Sequence, residues 1–156
     1  MSANSPPSNR VPSTLHLLGV LLSAVSLWQP VRAAPEESYE DTANCIAVME
    51  VTADELARQV KAGDQTREPV LRTELVRAAA IIGRTYLDGM HDEREAKARL
   101  VAARERQKTW DQARRNNLHG ACLKRADAEL AAASGPERVI VEHVAERRLQ
   151  RMLSEP

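Results

Sequence analysis

Phenylalanine is absent from this chain of 156 residues, and aromatic residues of all kinds make up 3% of it. A core of large flat rings is therefore excluded. The 43% of hydrophobic residues must build it from Ala, Leu, Val and Ile, which suit close helix packing better than sheet. No stretch alternates apolar and polar residues as a half-buried strand does. Excess charge is also missing, with 22 basic against 22 acidic side chains. Such a chain has no global attraction to nucleic acid or to an anionic membrane. Enzyme signatures are missing too: there is no Gly-x-Ser-x-Gly, no phosphate-binding glycine loop, no His-Glu-x-x-His and no Cys-x-x-Cys-His. Nothing in the sequence gives a reason to expect catalysis or a cofactor. Cysteine is reduced to two residues with no Cys-x-x-Cys between them, which leaves redox chemistry poorly supported.

The first third holds a segment that does not belong to a folded domain. Residues 1–14 are polar, with Arg10 as their only charge, and Leu15–Trp28 is apolar and charge-free. That run is short of the roughly 20 residues needed to cross a bilayer. Val31 and Ala33 then sit at −3 and −1 of a cut before Ala34. A basic start, a short apolar core and small residues at the cut describe a secretory signal peptide over residues 1–33. The expectation is a periplasmic or secreted protein with no stable membrane anchor after cleavage. A lipid anchor is not expected, because Cys45 follows Thr42-Ala43-Asn44 rather than small apolar residues. Without Arg10 and Arg32 the mature chain carries 20 basic against 22 acidic side chains, a net charge of −2.

Both cysteines, Cys45 and Cys122, lie in the mature part. In an oxidising compartment a single Cys45–Cys122 disulfide is the expectation.

Residues 34–41, acidic from Glu36 onward, read as a disordered lead-in, and 42–154 as one all-α domain. Cys45, Met49, Leu56 and Val60 follow helical spacing up to Gly63, a good terminator. Against one continuous helix, Thr52 and Glu55 form a capping box with Val51 and Leu56 as its hydrophobic staple. Pro69 fits the first turn of the next helix, whose stripe is Leu71, Leu75, Ala78, Ala79, Ile82 and Tyr86. Gly89 ends it, and Met90-His91 leaves only a short turn before Asp92, so this helix and the following one are predicted to pack antiparallel.

Asp92 with Glu95 starts the longest predicted helix, which runs to about Ala133. Ala96, Leu100, Ala103, Gln107, Trp110, Leu118, Ala121 and Cys122 share one of its faces. The stripe stays in phase past Asn116–Gly120, so at most a kink is expected there. Ser134 and Glu137 cap a last helix with the stripe Val141, Val144, Ala145, Leu149 and Met152. The sum is a four-helix bundle, or five helices if the first is broken, organised around the long helix.

Ala78, Ile82, Gly83, Tyr86 and Gly89, then Asp92, Ala96 and Ala103, resemble a Sel1-like repeat, a TPR-type helical hairpin. The likeness spans residues 78–103 in a single copy. The turn is three residues shorter than that family's, Arg99 stands where it has an aromatic, and Arg104 replaces its second alanine. The resemblance implies a protein-binding module rather than an enzyme.

Few residues invite chemistry. His119 and Cys122 are three apart and share a helix face, and His91 sits beside Asp92 and Glu95, so His91 and His119 are the candidate metal ligands. A closed zinc site needs four ligands, and only two lie together, so no metal is expected. Arg147, Arg148 and Arg151 cluster in the last turns of the final helix. They suit the helix C-terminus and form a candidate partner-contact patch. The expectation is a non-enzymatic protein-binding or adaptor module of the cell envelope, its partner a protein of unknown identity. The alternatives are a periplasmic metal-binding or sensing protein and an envelope hydrolase without a recognisable motif.

Overall fold

The computed structural model describes residues 36–155, so the segment read as a signal peptide, 1–33, lies outside the described residues. Helix α1 spans Glu36–Lys61, α2 Glu68–Leu87, α3 Glu93–Gln107, α4 Gln112–Ala132 and α5 Gly135–Ser154, with one 3₁₀ turn at Gln65–Arg67. Among the described residues there is no strand. The protein is an all-α bundle closed by a Cys45–Cys122 disulfide, with its Cα atoms 5.4 Å apart.

The count of five helices has a different cause from the one considered in the sequence. α1 runs unbroken through Thr52, whose hydroxyl donates to the Val48 carbonyl at 3.3 Å. A hydroxyl bonded back to the preceding turn is not free to cap a new one. Val51, the supposed staple, is 57% exposed. The helix also begins earlier than expected, at Glu36, so most of the lead-in placed over 34–41 forms its first turns.

The predicted helix from Asp92 to Ala133 is instead two helices. The break lies at Lys108–Asp111, ahead of Gly120 rather than at it. The amides of Lys108, Thr109 and Trp110 bond three residues back, tightening and ending α3. Asp111 then caps α4 by accepting the Arg114 amide at 2.7 Å. One rod of that length would measure about 60 Å at 1.5 Å per residue, against about 39 Å for the 26 residues of α1. The break folds both halves back onto α1.

α1 is consequently the organising helix. It packs against all four others, and Cys45, Ile46, Ala47, Val48 and Met49 are buried in succession. Over that stretch the helix is apolar on every side, as a segment surrounded by other helices must be. Cys45, Ile46, Val48 and Met49 meet Ile81 of α2 and Cys122 and Ala126 of α4. Ala43 and Ala47 meet Ala103 of α3, and these small side chains let the two backbones approach closely. Ala53, Leu56 and Ala57 join Leu71, Leu75, Ala79 and Ala80 of α2 and Val141, Ala145, Leu149 and Met152 of α5.

The short turn after α2 does not pair it with α3, which packs on α1; the half of the predicted long helix that does pack on α2 is α4, beside α1 and α5. Gly89, at φ +112°, supplies the left-handed residue that lets the chain leave α2. Tyr39 of α1 secures the same corner, donating to the Asp88 carbonyl at 3.1 Å.

Candidate functional site

The sequence-selected residues do not converge. His119, on α4, lies 2.6 Å from Glu74 of α2, Nε2 to Oε1. Glu74 is 5% exposed, so this is a buried carboxylate whose partner is an imidazole. His91 instead stands edge-on to the Tyr86 ring, centroids 4.6 Å apart. Cys122 is committed to the disulfide. Among the described residues no group of three or more His, Cys, Asp or Glu is placed to hold a metal. Arg147, Arg148 and Arg151 are all exposed on α5. Arg148 lies beside Glu50, Asp54 and Glu74 at the α1–α2–α5 junction, where the enclosed space is about 20 Å³, too little for a ligand.

Two larger cavities lie end to end beside α2. α4 and α5 are consecutive in the chain and joined by Ala133-Ser134, yet they share little contact with each other. Each packs on α2 instead. Arg77 of α2 holds Asp127 of α4 through two bonds of 2.8 and 3.2 Å. On the other flank Arg72 is paired with Glu146 of α5. The strip of α2 between the two flanking helices is left as a groove.

Its two halves differ in character. Nearer the start of α2 a cavity of about 390 Å³ is lined by Val76, Arg77, Asp127, Leu130 and Glu142, with Arg72 and Thr73. Nearer its end a cavity of about 340 Å³ is lined mainly by apolar groups: Ala80, Gly83 and Leu87 below, Ala132 and Ala133 on one side, Ile140 and Val141 on the other. Leu87 is 60% exposed and Ile140 63%. Side chains of that size, left half bare beside one another, mark a surface built for contact.

Local chemistry explains how the groove is held. Ser134 caps α5, and its amide donates to the Glu137 carboxylate at 2.6 Å. That bond and the Ser134 hydroxyl, whose bond is the larger cause, hold Glu137 below its ordinary pKa. The α4–α5 corner is further tied by Arg138, which donates to the Ala131 and Ala133 carbonyls. A buried polar chain anchors the floor from behind: Arg125 of α4 donates to Thr42 of α1 at 3.0 Å, Thr42 meets Thr85 of α2 at 3.3 Å, and Thr85 donates to the Ile81 carbonyl.

The periodic reading missed this site because it placed Ile82 and Tyr86 in the core. Ile81 and Thr85 are buried in their place, while Ile82 is 51% and Tyr86 58% exposed. α2 is covered by three helices, so its buried face is broader than one stripe. Val144, assigned to the α5 stripe, is likewise 40% exposed. One signal was available: Val139 and Ile140 fall outside the stripe of the last helix, and a β-branched pair there has no core to enter.

The polar cavity at the α3–α4 break, about 570 Å³ and lined by Glu40, Asp41, Arg106, Trp110 and Arg114, is an open depression. Arg114 covers one face of the Trp110 ring, 4.1 Å from its centroid. In comparisons with known proteins, no family model, no curated protein and no solved structure matches this chain.

Proposed function

We propose that this chain is an exported, non-enzymatic protein-binding module of the cell envelope, and that its partner docks in the groove beside α2. The observation that carries this reading is the pair Leu87 and Ile140, exposed across a groove floored by Ala80 and Gly83. Large apolar side chains around a small-residue floor form the kind of surface that receives a protein segment. Export rests on the charge-free run Leu15–Trp28 and the Val31/Ala33 pair, with the disulfide in keeping with an oxidising compartment. No helix among the described residues is long and apolar enough to cross a membrane. The metal-sensor reading has less support, because Glu74 engages His119 and Tyr86 engages His91. The hydrolase reading has less support, because the cavity beside Glu74 holds only about 20 Å³.

Site-specific photocrosslinking in the producing cell tests the docking. A crosslinker at Leu87 or Ile140 captures a defined protein, and one at Val101, an exposed apolar position on α3, does not. Equal capture from all three positions sinks the groove reading. N-terminal sequencing of the exported protein is expected to begin at Ala34 or close to it. Full-length chain in the membrane fraction would overturn the cleavage.

A further inference from the structure

The groove carries information about the chemistry of what fills it. Its length comes from α2: Thr73 to Leu87 is about 21 Å at 1.5 Å per residue, or four helical turns. Its floor is low at Ala80 and Gly83, and a Cβ built at Gly83 would meet nothing within 4 Å. Small residues on an open helix face let a second helix axis come near. The backbone of α2 is fully used in its own hydrogen bonds, so a partner strand would find no edge to extend. A helix laying an apolar stripe between α4 and α5 meets these conditions.

Charge narrows the choice further. Every arginine of α2 beside the groove already has an acid of its own: Arg72 has Glu146 and Glu68, Arg77 has Asp127, and Arg84 has Asp88. The walls then add Glu129 on α4 and Glu137 and Glu142 on α5. Of these, Glu137 already lies in the field of Arg84, which leaves Glu129 on the α4 side and Glu142 on the α5 side as wall carboxylates paired with no arginine of α2. A ligand that buries the apolar floor must leave cations near both walls or accept their repulsion.

Resting on the docking reading above, we infer that the occupant is a basic amphipathic helix of about four turns, its apolar face on Ala80, Gly83, Leu87 and Ile140 and its Lys or Arg side chains against Glu129 and Glu142. The apolar contact supplies affinity, and the acidic walls select the partner and speed its approach.

The test uses the purified protein and three labelled 16-residue peptides read by fluorescence anisotropy. One has Leu at i, i+3, i+4 and i+7 spacing with Lys elsewhere. The second has Glu in place of every Lys, and the third is the Lys peptide scrambled to destroy the stripe. The Lys peptide is expected to bind at least tenfold more tightly than either of the others. That preference over the Glu peptide shrinks between 50 mM and 500 mM salt. It also shrinks several-fold in Glu129→Gln/Glu142→Gln, while Ile140→Glu removes binding. Ile140 is exposed, so circular dichroism of Ile140→Glu should match the parent. If the Glu peptide binds as well as the Lys peptide and Ile140→Glu abolishes both, the groove stands and the basic partner falls. If Ile140→Glu changes nothing, or the scrambled peptide binds equally, the docking reading falls as well. A concentration-dependent dimer dispersed by Ile140→Glu would show that a second copy fills the groove, and would overturn the inference.

Discussion

Removing the Cys45–Cys122 bond should lower the stability of the domain by an amount that follows from its topology. The bond joins α1 to α4 across 77 residues. In the chain-entropy account, a loop of that length raises the free energy of the unfolded chain by about 4.5 kcal/mol, and measured bridges commonly give about 2–4 kcal/mol. Around the bond Ile46, Val48 and Met49 of α1 pack with Ala126, Leu118 and Leu123 of α4, and Arg125 donates to Thr42. A domain near 120 residues shifts its melting temperature by roughly 4 °C per kcal/mol. The expected fall is therefore about 8–16 °C. The perturbation is best made twice, by Cys45→Ala/Cys122→Ala and by reduction of the parent protein. Reduction needs a transient opening, because Cys45 and Cys122 are 6% and 1% exposed. The native protein should resist dithiothreitol for far longer than the same protein in guanidinium. Thermal melts at 222 nm, oxidised against reduced, give the number. A change under about 2 °C, or two thiols titrating in the untreated native protein, would refute the placement of α4 against α1.

Three further outcomes follow from particular contacts. His119→Ala strands the buried Glu74 carboxylate and should cost about 1–3 kcal/mol in urea melts. Glu74→Leu/His119→Leu should recover much of that loss, and no recovery would mean the pair does more than satisfy itself. Ala47→Leu forces a larger side chain into the α1–α3 crossing, where Ala47 is 1% and Ala103 0% exposed. A destabilisation of about 1–3 kcal/mol is expected, against near neutrality for the exposed Ala98→Leu. Glu137 should titrate below the ordinary glutamate range in a carbon-detected NMR experiment, because Ser134 bonds its ionised form. The folded pKa is depressed, so this contribution is present above the unfolded pKa and is lost as pH falls through the folded one. Ser134→Ala should move the midpoint upward, and an unmoved midpoint would disprove the cap as its cause.

Local chemistry was sufficient for the features that depend on neighbours in the chain. Asp92 caps α3 by accepting the Arg94 and Glu95 amides, Ser134 and Glu137 open α5, and Gly63 and Gly89 leave their helices with positive φ. Each is set by residues within about four positions, so composition and spacing suffice. The helical class and the inward-facing Cys45 and Cys122 were legible for the same reason. Features that depend on what a helix is packed against were not. Thr52 has the letters of a cap, and its bond to the Val48 carbonyl shows that the continuing core of α1 wins over them. Asp111 has the letters of a cap too, and there the cap prevails, because only a break returns both α3 and α4 to α1. An amphipathic stripe specifies one neighbour, whereas α2 has three, so Ile81 rather than Ile82 is buried and Glu74 goes inside to meet His119. The groove is the clearest case. Val139 and Ile140 could be seen to miss the core, but the open strip of α2 beside them exists only because α4 and α5 pack on α2 and hardly on each other. Periodicity along one chain segment carries no information about the spacing of two others, and that spacing is what tertiary packing decides.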